Sequence, residues 1–270
     1  MANRITEKFN QLSAEKRGGF IPFIVAGDPN LHVTGQLILE LARNGASIIE
    51  LGVPFSDPVA DGVTIQAAAE RALKNPISVE AILNLVAAVR RENCEVPIIL
   101  FSYFNPILQY GLNNFAEKAV AAGIDGILVT DLVPEEAEEF RAILAAQDLC
   151  LIMLAAPTSS DARLEKICAK ASGFVYAVSR AGVTGARSAL SSDAENLVRR
   201  IRKYTDLPVA VGFGISSAEQ VSATWKYADA AVVGSAIVAE IAQLSLLMDE
   251  NSSEFVEKIG TFAANLLPKK

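Results

Sequence analysis

Histidine is almost missing from this chain, with His32 the single imidazole in 270 residues. With no histidine or cysteine at ligand spacing beside it, neither a histidine-built metal centre nor a Ser-His-Asp triad is expected. Cysteine is scarce as well. Cys94, Cys150 and Cys168 lie far apart, form no CxxC pair and sit in apolar or helical surroundings, which reads as reduced thiols rather than a disulfide framework. No metal site is expected. Apolar runs stop well short of the about 18 residues that a membrane-spanning helix needs. The opening MANRITEKFNQLSAEKRG is charged and amphipathic where a signal peptide would be apolar, so a cytoplasmic location is the default expectation. Basic side chains are the minority, 24 against 31 acidic ones, and a net charge of −7 repels nucleic acid and the anionic face of a membrane. A small phosphorylated metabolite is not excluded, because helix N-termini and backbone N–H groups hold anions without net charge.

What the chain does have is apolar bulk: 51% of its residues are hydrophobic, enough to bury a sizeable core. Short β-branched or aromatic runs recur at Phe20 to Val25, Ser47 to Leu51, Pro97 to Phe101, Gly126 to Val129, Cys150 to Leu154, Gly173 to Tyr176, Pro208 to Val211 and Ala230 to Val233. The segments between them, among them LHVTGQLILELARNGA, EEAEEFRAILAAQ and DAENLVRRIRKYT, space apolar residues three and four apart, as amphipathic helices do. Strands alternating with helices predict a parallel sheet, and eight such units in about 250 residues predict a closed (β/α)8 TIM barrel rather than an open sheet. The charged N-terminal stretch and a helical pattern from Ser252 to Leu267 add an extra helix at each end. Nothing in between resembles a linker, so residues 1–270 read as a single catalytic domain, with its active site at the C-terminal ends of the strands.

Three constellations lie at that end. In SIIELGVPFSDPVADGVTIQ, Glu50 closes an apolar strand, while Asp57 and Asp61 follow in a Pro/Gly-rich loop. Among Ile48, Ile49 and Leu51, Glu50 is expected to be desolvated and so able to give and take a proton near neutrality; the alternative is a structural ion pair with a neighbouring Arg or Lys. Asp57 suits a turn before Pro58, and Asp61 suits an N-cap for a helix starting near Val63. Later, VGFGIS with Gly212 and Gly214, and VVGSAI with Gly234 and Ser235, put bare backbone N–H groups after the seventh and eighth strands, where barrels hold phosphate; either could also be a plain turn. Ahead of both, FVYAVSRAGVTGARSAL places Tyr176 at the end of a strand, in position to serve the site or merely to fill the core. Its Gly/Ser/Thr-rich continuation with Thr184 and Gly185 suits either a mobile lid or an ordinary exposed loop.

Taken in order, PFIVAGDP, IELGVPFSDPVADG, GILVTDLVPEEA, SRAGVTG, VGFGIS and VVGSAIV resemble the tryptophan synthase alpha subunit family over essentially the whole chain. The resemblance implies retro-aldol cleavage of indole-3-glycerol phosphate, with Glu50 as general acid/base, Asp61 at the indole N–H and Tyr176 positioning the substrate or Glu50. It implies a phosphate held around Gly185, Gly214, Gly234 and Ser235, with Thr184 reaching the site on closure. An indole pocket among Phe23, Ile65, Phe101, Tyr103, Leu128 and Phe213 is implied as well. No cofactor is implied on this chain. Indole would pass to a beta subunit carrying pyridoxal phosphate in an alpha2beta2 tetramer, across rim loops that include Asp57, Pro58 and Asp131. The sequence departs from the usual pattern at Val63, Thr130 and Val133, all in partner-facing loops. Rival readings are a stand-alone indole-3-glycerol phosphate lyase, a catalytically silent phosphate-binding barrel, and a barrel isomerase or synthase acting on a related phospho-sugar.

Overall fold

The computed structural model describes residues 3–178, 190–212, 214–246 and 252–268. Its first half runs α1 (Arg4–Ala14), β1 (Gly19–Val25), α2 (Leu31–Arg43), β2 (Ile49–Gly52), α3 (Val63–Ala72), α4 (Val79–Arg91), β3 (Ile98–Ser102), α5 (Phe104–Tyr110), α6 (Leu112–Ala122) and β4 (Gly126–Val129). The second half continues with α7 (Glu138–Ala145), β5 (Cys150–Ala155), α8 (Asp161–Lys170), β6 (Val175–Val178), α9 (Leu190–Ile201), β7 (Val209–Gly212), α10 (Ala218–Thr224), β8 (Ala230–Val233), α11 (Ser235–Ser245) and α12 (Ser252–Asn265). Each strand pairs in parallel with the next, and β8 returns to β1, so the sheet closes as the sequence pattern predicts.

The strand boundaries shift by a residue or two for local reasons. Pro97 and Pro208 lie just ahead of β3 and β7, since proline has no N–H to give to a ladder. Gly173 lies ahead of β6 with φ +76°, a left-handed turn that precedes extended backbone. Ser47 stands before β2, where its hydroxyl accepts the Phe20 N–H at 3.1 Å. The helices follow their apolar period. In α2, Val33, Leu37, Ile38 and Leu41 form one buried face, and the Asn30 side chain caps the first turn by accepting the Val33 N–H. The region after β3 holds α5, a short helix that the sequence pattern does not announce.

Alternation along the strands divides the core in two. Ile21, Phe23, Val25, Ile99, Phe101, Leu128 and Ile152 fill the barrel, while Phe20, Ile24, Ile98, Leu100 and Ile127 face the helices. The floor of the barrel is closed by α1, whose Ile5, Phe9 and Leu12 join the interior group, with the Phe9 and Phe174 rings 5.6 Å apart. At the other terminus α12 lies on α2 and α11 and buries Phe255, Val256 and Ile259. Gly260 permits that approach, because a Cβ there would stand 2.6 Å from Glu40 Cγ. Among the described residues, no helix is long and apolar enough to cross a membrane.

Candidate active site

Glu50 is the second residue of β2, in register with Phe23 on one side and Ile99 on the other. It shares the inward parity of Ile48, so its carboxyl enters the barrel interior. The residue is 1% exposed, and among the described residues neither carboxyl oxygen has a hydrogen-bond partner. Among the described residues no Arg or Lys pairs with Glu50, as the ion-pair alternative would require, and burial pushes its pKa up to about 8. A carboxyl that keeps its proton near pH 7 in an apolar chamber is suited to deliver that proton and take one back.

Tyr176, the second residue of β6, is buried in the same interior group, and burial and the Glu50 charge raise its pKa well above the usual value. Room for it comes from Gly212 at the end of β7, where a Cβ would lie 2.0 Å from the phenol oxygen. That glycine, grouped in the sequence with an anion-binding loop, has a steric duty toward Tyr176.

Above Glu50, a narrow cleft opens between the ends of β1 to β3 and α3. Phe23, Phe101, Tyr103, Ile65 and Asp61 line it together. The Phe23 and Phe101 rings meet edge to face at 5.2 Å, leaving flat aromatic walls suited to a planar aromatic ligand. Leu128 does not join them; it is fully buried in the barrel interior. Phe55, which also lines the cleft, lies inside the PFSDP motif and was legible only as an aromatic residue just past a strand end.

Asp61 is half-buried at the mouth of this cleft. Burial pushes its pKa up to about 6, against the pull of a hydrogen bond from Tyr103. It is not the N-cap of α3. Gly62 holds that position without a side-chain cap, which leaves the Asp61 carboxyl free of the helix and turned to Tyr103. The hydroxyl of Tyr103 also accepts the Ala60 N–H at 2.8 Å, so Tyr103 fastens the loop as well as lining the cleft. Burial and the Asp61 charge push the phenol up to about 12. The far end of α3 is fastened by Arg71, which donates to both oxygens of buried Asp28 at 2.9 and 2.7 Å.

On the β8 side, Gly234 is the N-cap of α11 with no side-chain cap, and Ser235 is its first residue. The free N–H groups of that first turn sit at the barrel mouth, and a Cβ on Gly234 would stand 3.4 Å from Phe23. Gly214 has φ +82° and open space around it. Thr184, Gly185 and Phe213 lie outside the described residues. At the rim, Asp57 is exposed and accepts the Ser56 hydroxyl at 2.5 Å. Asp57 and Pro58 belong to a turn in which the Val59 and Asp61 N–H groups donate to the carbonyls of Asp57 and Pro58. Asp131 is exposed and accepts the Phe104 N–H at 2.8 Å, which ties the loop after β4 to the start of α5. Among the described residues no cluster of His, Cys, Asp and Glu is arranged to hold a metal ion.

Comparison with known proteins points one way. Residues 9–266 match the family described as tryptophan synthase alpha chain. The tryptophan synthase alpha chain of Caulobacter vibrioides is 49% identical over 254 residues, covering 94% of this chain and 92% of that one. That of Geotalea uraniireducens is 46% identical over 264 residues, 98% of this chain and 96% of that one. The crystal structure of the Legionella pneumophila tryptophan synthase alpha chain superposes with a TM-score of 0.88 at 34% identity, covering 98% of this chain and 96% of that one.

Proposed function

The chain belongs to the tryptophan synthase alpha chain family, and from that premise we propose that Glu50 and Asp61 carry its chemistry. The reaction is a carbon–carbon lyase step of tryptophan biosynthesis, cleavage of indole-3-glycerol phosphate to indole and glyceraldehyde 3-phosphate. The observation that carries the assignment is the buried carboxyl of Glu50, without a hydrogen-bond partner among the described residues, beneath an aromatic cleft that has Asp61 at its mouth.

Protonated Glu50 delivers its proton to indole C3, and the ring becomes an indolenine-like cation. Asp61, ionised, accepts the indole N–H and stabilises that cation, a role suited to a carboxylate held in a partly dehydrated cleft. The Glu50 carboxylate then takes the proton of the glycerol hydroxyl next to C3 as the carbon–carbon bond breaks. Its electrons return to the ring, the aldehyde forms, and Glu50 recovers its starting state. Tyr176 holds the substrate or Glu50 in place. The indole rests among Phe23, Ile65, Phe101 and Tyr103, and the phosphate on backbone around Gly214, Gly234 and Ser235.

Indole passes to a beta subunit that carries pyridoxal phosphate, within an alpha2beta2 assembly in the cytoplasm. The exposed apolar side chains Val59, Val63 and Val133 support a partner on this rim, beside Asp57, Pro58 and Asp131. Residues 1–270 act as one catalytic domain in this reading.

The test is indole release from indole-3-glycerol phosphate, measured for the full chain alone and with a tryptophan synthase beta subunit. Slow release that rises sharply with beta is expected; equally fast release alone would instead make the chain a self-sufficient lyase. Asp61→Asn is expected to lower kcat about 100-fold while the substrate still binds. The pH profile of kcat/KM follows from the two carboxyls. Activity falls below pH about 6 as Asp61 takes up a proton, and above about 8 as Glu50 loses the proton that it must donate. A profile flat from pH 5 to 9 would contradict both roles.

A further inference from the structure

We propose that Asp28 and Arg71 are positioning residues for the indole cleft: their bidentate pair fixes α3, whose inner face supplies one wall of that cleft. The proposal deepens the reading of Asp61 and the cleft given above and rests on it. Asp61, Ile65 and Ala69 all line the cleft and recur every fourth residue, the period of one helical face. Arg71 follows two residues later, about 200° around the helix, and so points away from the cleft. Its effect on the reaction passes through the helix rather than through contact with substrate.

Apolar packing alone holds this helix weakly. The buried residues of α3 are Ala68, Ala69 and Ala72, each offering a single methyl group, whereas α2 buries Val33, Leu37, Ile38 and Leu41. The C-terminal end of α3 supplies polar contacts instead. Arg71 Nε donates to Asp28 Oδ1 at 2.9 Å and Arg71 Nη2 to Asp28 Oδ2 at 2.7 Å, a fork-to-fork pair that fixes direction as well as distance. Just beyond, Asn75 Nδ2 donates to the Pro29 carbonyl at 3.3 Å, and a Cβ on Gly27 would stand 1.8 Å from Ile77 Cδ1. All these contacts are with the one loop after β1.

That loop is a fixed point on the barrel. Asp28 is 2% exposed, and its N–H donates to the Val25 carbonyl at the end of β1 at 3.2 Å. The Gly27 N–H donates to the Thr34 hydroxyl at 3.0 Å, which ties the loop to the first turn of α2. At the other end of α3, the Asp61 loop travels with the helix, because Gln66 of α3 donates to the Asp61 carbonyl at 2.8 Å. With the Arg71 end released, α3 is free to tilt, and Asp61, Ile65 and Ala69 move with it as one wall.

The experiment is a set of variants on the full chain with a beta subunit present, read by cleavage of indole-3-glycerol phosphate and by chemical denaturation. Arg71→Met keeps the length of the side chain without its charge. It is expected to raise KM about fivefold and to lower kcat about fivefold in the folded chain, the scale of a small misplacement of binding and reacting groups. Arg71→Lys retains the charge but cannot span both oxygens, and its losses are expected at about half of those on a logarithmic scale. Asp28→Asn is expected to match Arg71→Met within about twofold, and to cost nothing further when added to it, since the two residues act as a unit. A pair that serves stability alone would lower the denaturation midpoint and leave KM and kcat of the folded chain at parent values, which overturns the proposal. Parent kinetics in Arg71→Lys, or losses that simply multiply in the double variant, overturn it as well. Asp61→Asn separates the two levels. Full cleavage by that variant overturns the role of Asp61 itself, whereas its loss beside unchanged KM and kcat in Arg71→Met overturns only the positioning.

Discussion

Replacing Glu50 with Gln is expected to lower cleavage about 1,000-fold, within the range for loss of a general acid/base, and to leave the barrel folded and able to bind substrate. The amide has the shape of the protonated carboxyl and fits the same interior position between Phe23 and Ile99, but it has no proton to give at neutral pH. The same variant is expected to be more stable than the parent at high pH. In the folded chain Glu50 keeps its proton to about pH 8, and its ordinary value is 4.5. Between those values the unfolded chain releases a proton that the folded chain retains, so parent stability falls as pH rises through the window and levels off above it. At about 1.36 kcal/mol per pH unit, the contribution lost by pH 7 is roughly 3 kcal/mol. Gln has no such loss. Thermal unfolding at pH 5 and pH 8 checks this, since the advantage of the variant must grow between them. A constant difference would mean that Glu50 has an ordinary ionisation, and turnover within tenfold of the parent would remove it from the chemistry.

The second large effect is expected at the opposite end of the barrel, where Asp125 has no part in the reaction. Its carboxyl is 3% exposed and receives Arg4 at 2.9 Å, Arg90 at 2.8 Å and the Ile98 N–H at 2.8 Å. Arg90 also donates to the carbonyls of Gly123, Cys94 and Val96, so the cluster fastens α4 to the segments that lead into β3 and β4, while Arg4 fastens α1. Asp125→Ala leaves the Arg90 guanidinium with little exposure and no counter-charge, a change that costs about 3 to 5 kcal/mol. Chemical denaturation is expected to show that loss, with kcat of the folded fraction close to the parent. A stability change below about 1 kcal/mol would mean that solvent reaches Arg90 once the carboxylate is gone. The carboxyls at the two ends of the barrel thus differ in setting: Asp125 at the floor is matched by two guanidinium groups, whereas among the described residues Glu50 meets no cation.

How far the sequence reaches is visible in particular residues. The eight strand runs were legible because a strand buried on both faces is continuously apolar and the helices between carry a different period. Their parallel closure followed from the alternation. The chemical motifs were legible because IELGVPFSDPVADG and VVGSAIV are contiguous, and contiguity is what a linear pattern preserves. Boundaries at Pro97, Gly173 and Pro208 were misplaced because hydrophobicity continues where hydrogen bonding has not begun.

What the sequence by itself determined was the order of elements and the barrel, and it placed Glu50 at the end of a strand and Asp61 in the loop that follows. Only the tertiary structure decided their states. Whether Glu50 meets a cation or an apolar wall depends on which strands flank it and on the closure of β8 onto β1, a pairing between residues about 200 positions apart in sequence. Likewise the choice of Asp61 between capping α3 and receiving Tyr103, the steric duty of Gly212 under Tyr176, and the matching of Asp125 with Arg4 and Arg90 are all long-range contacts. Local pattern encodes the period of a chain, and therefore its secondary structure. The ionisation of a carboxyl is set by the atoms within a few ångströms of it, and those come from segments that only folding brings together.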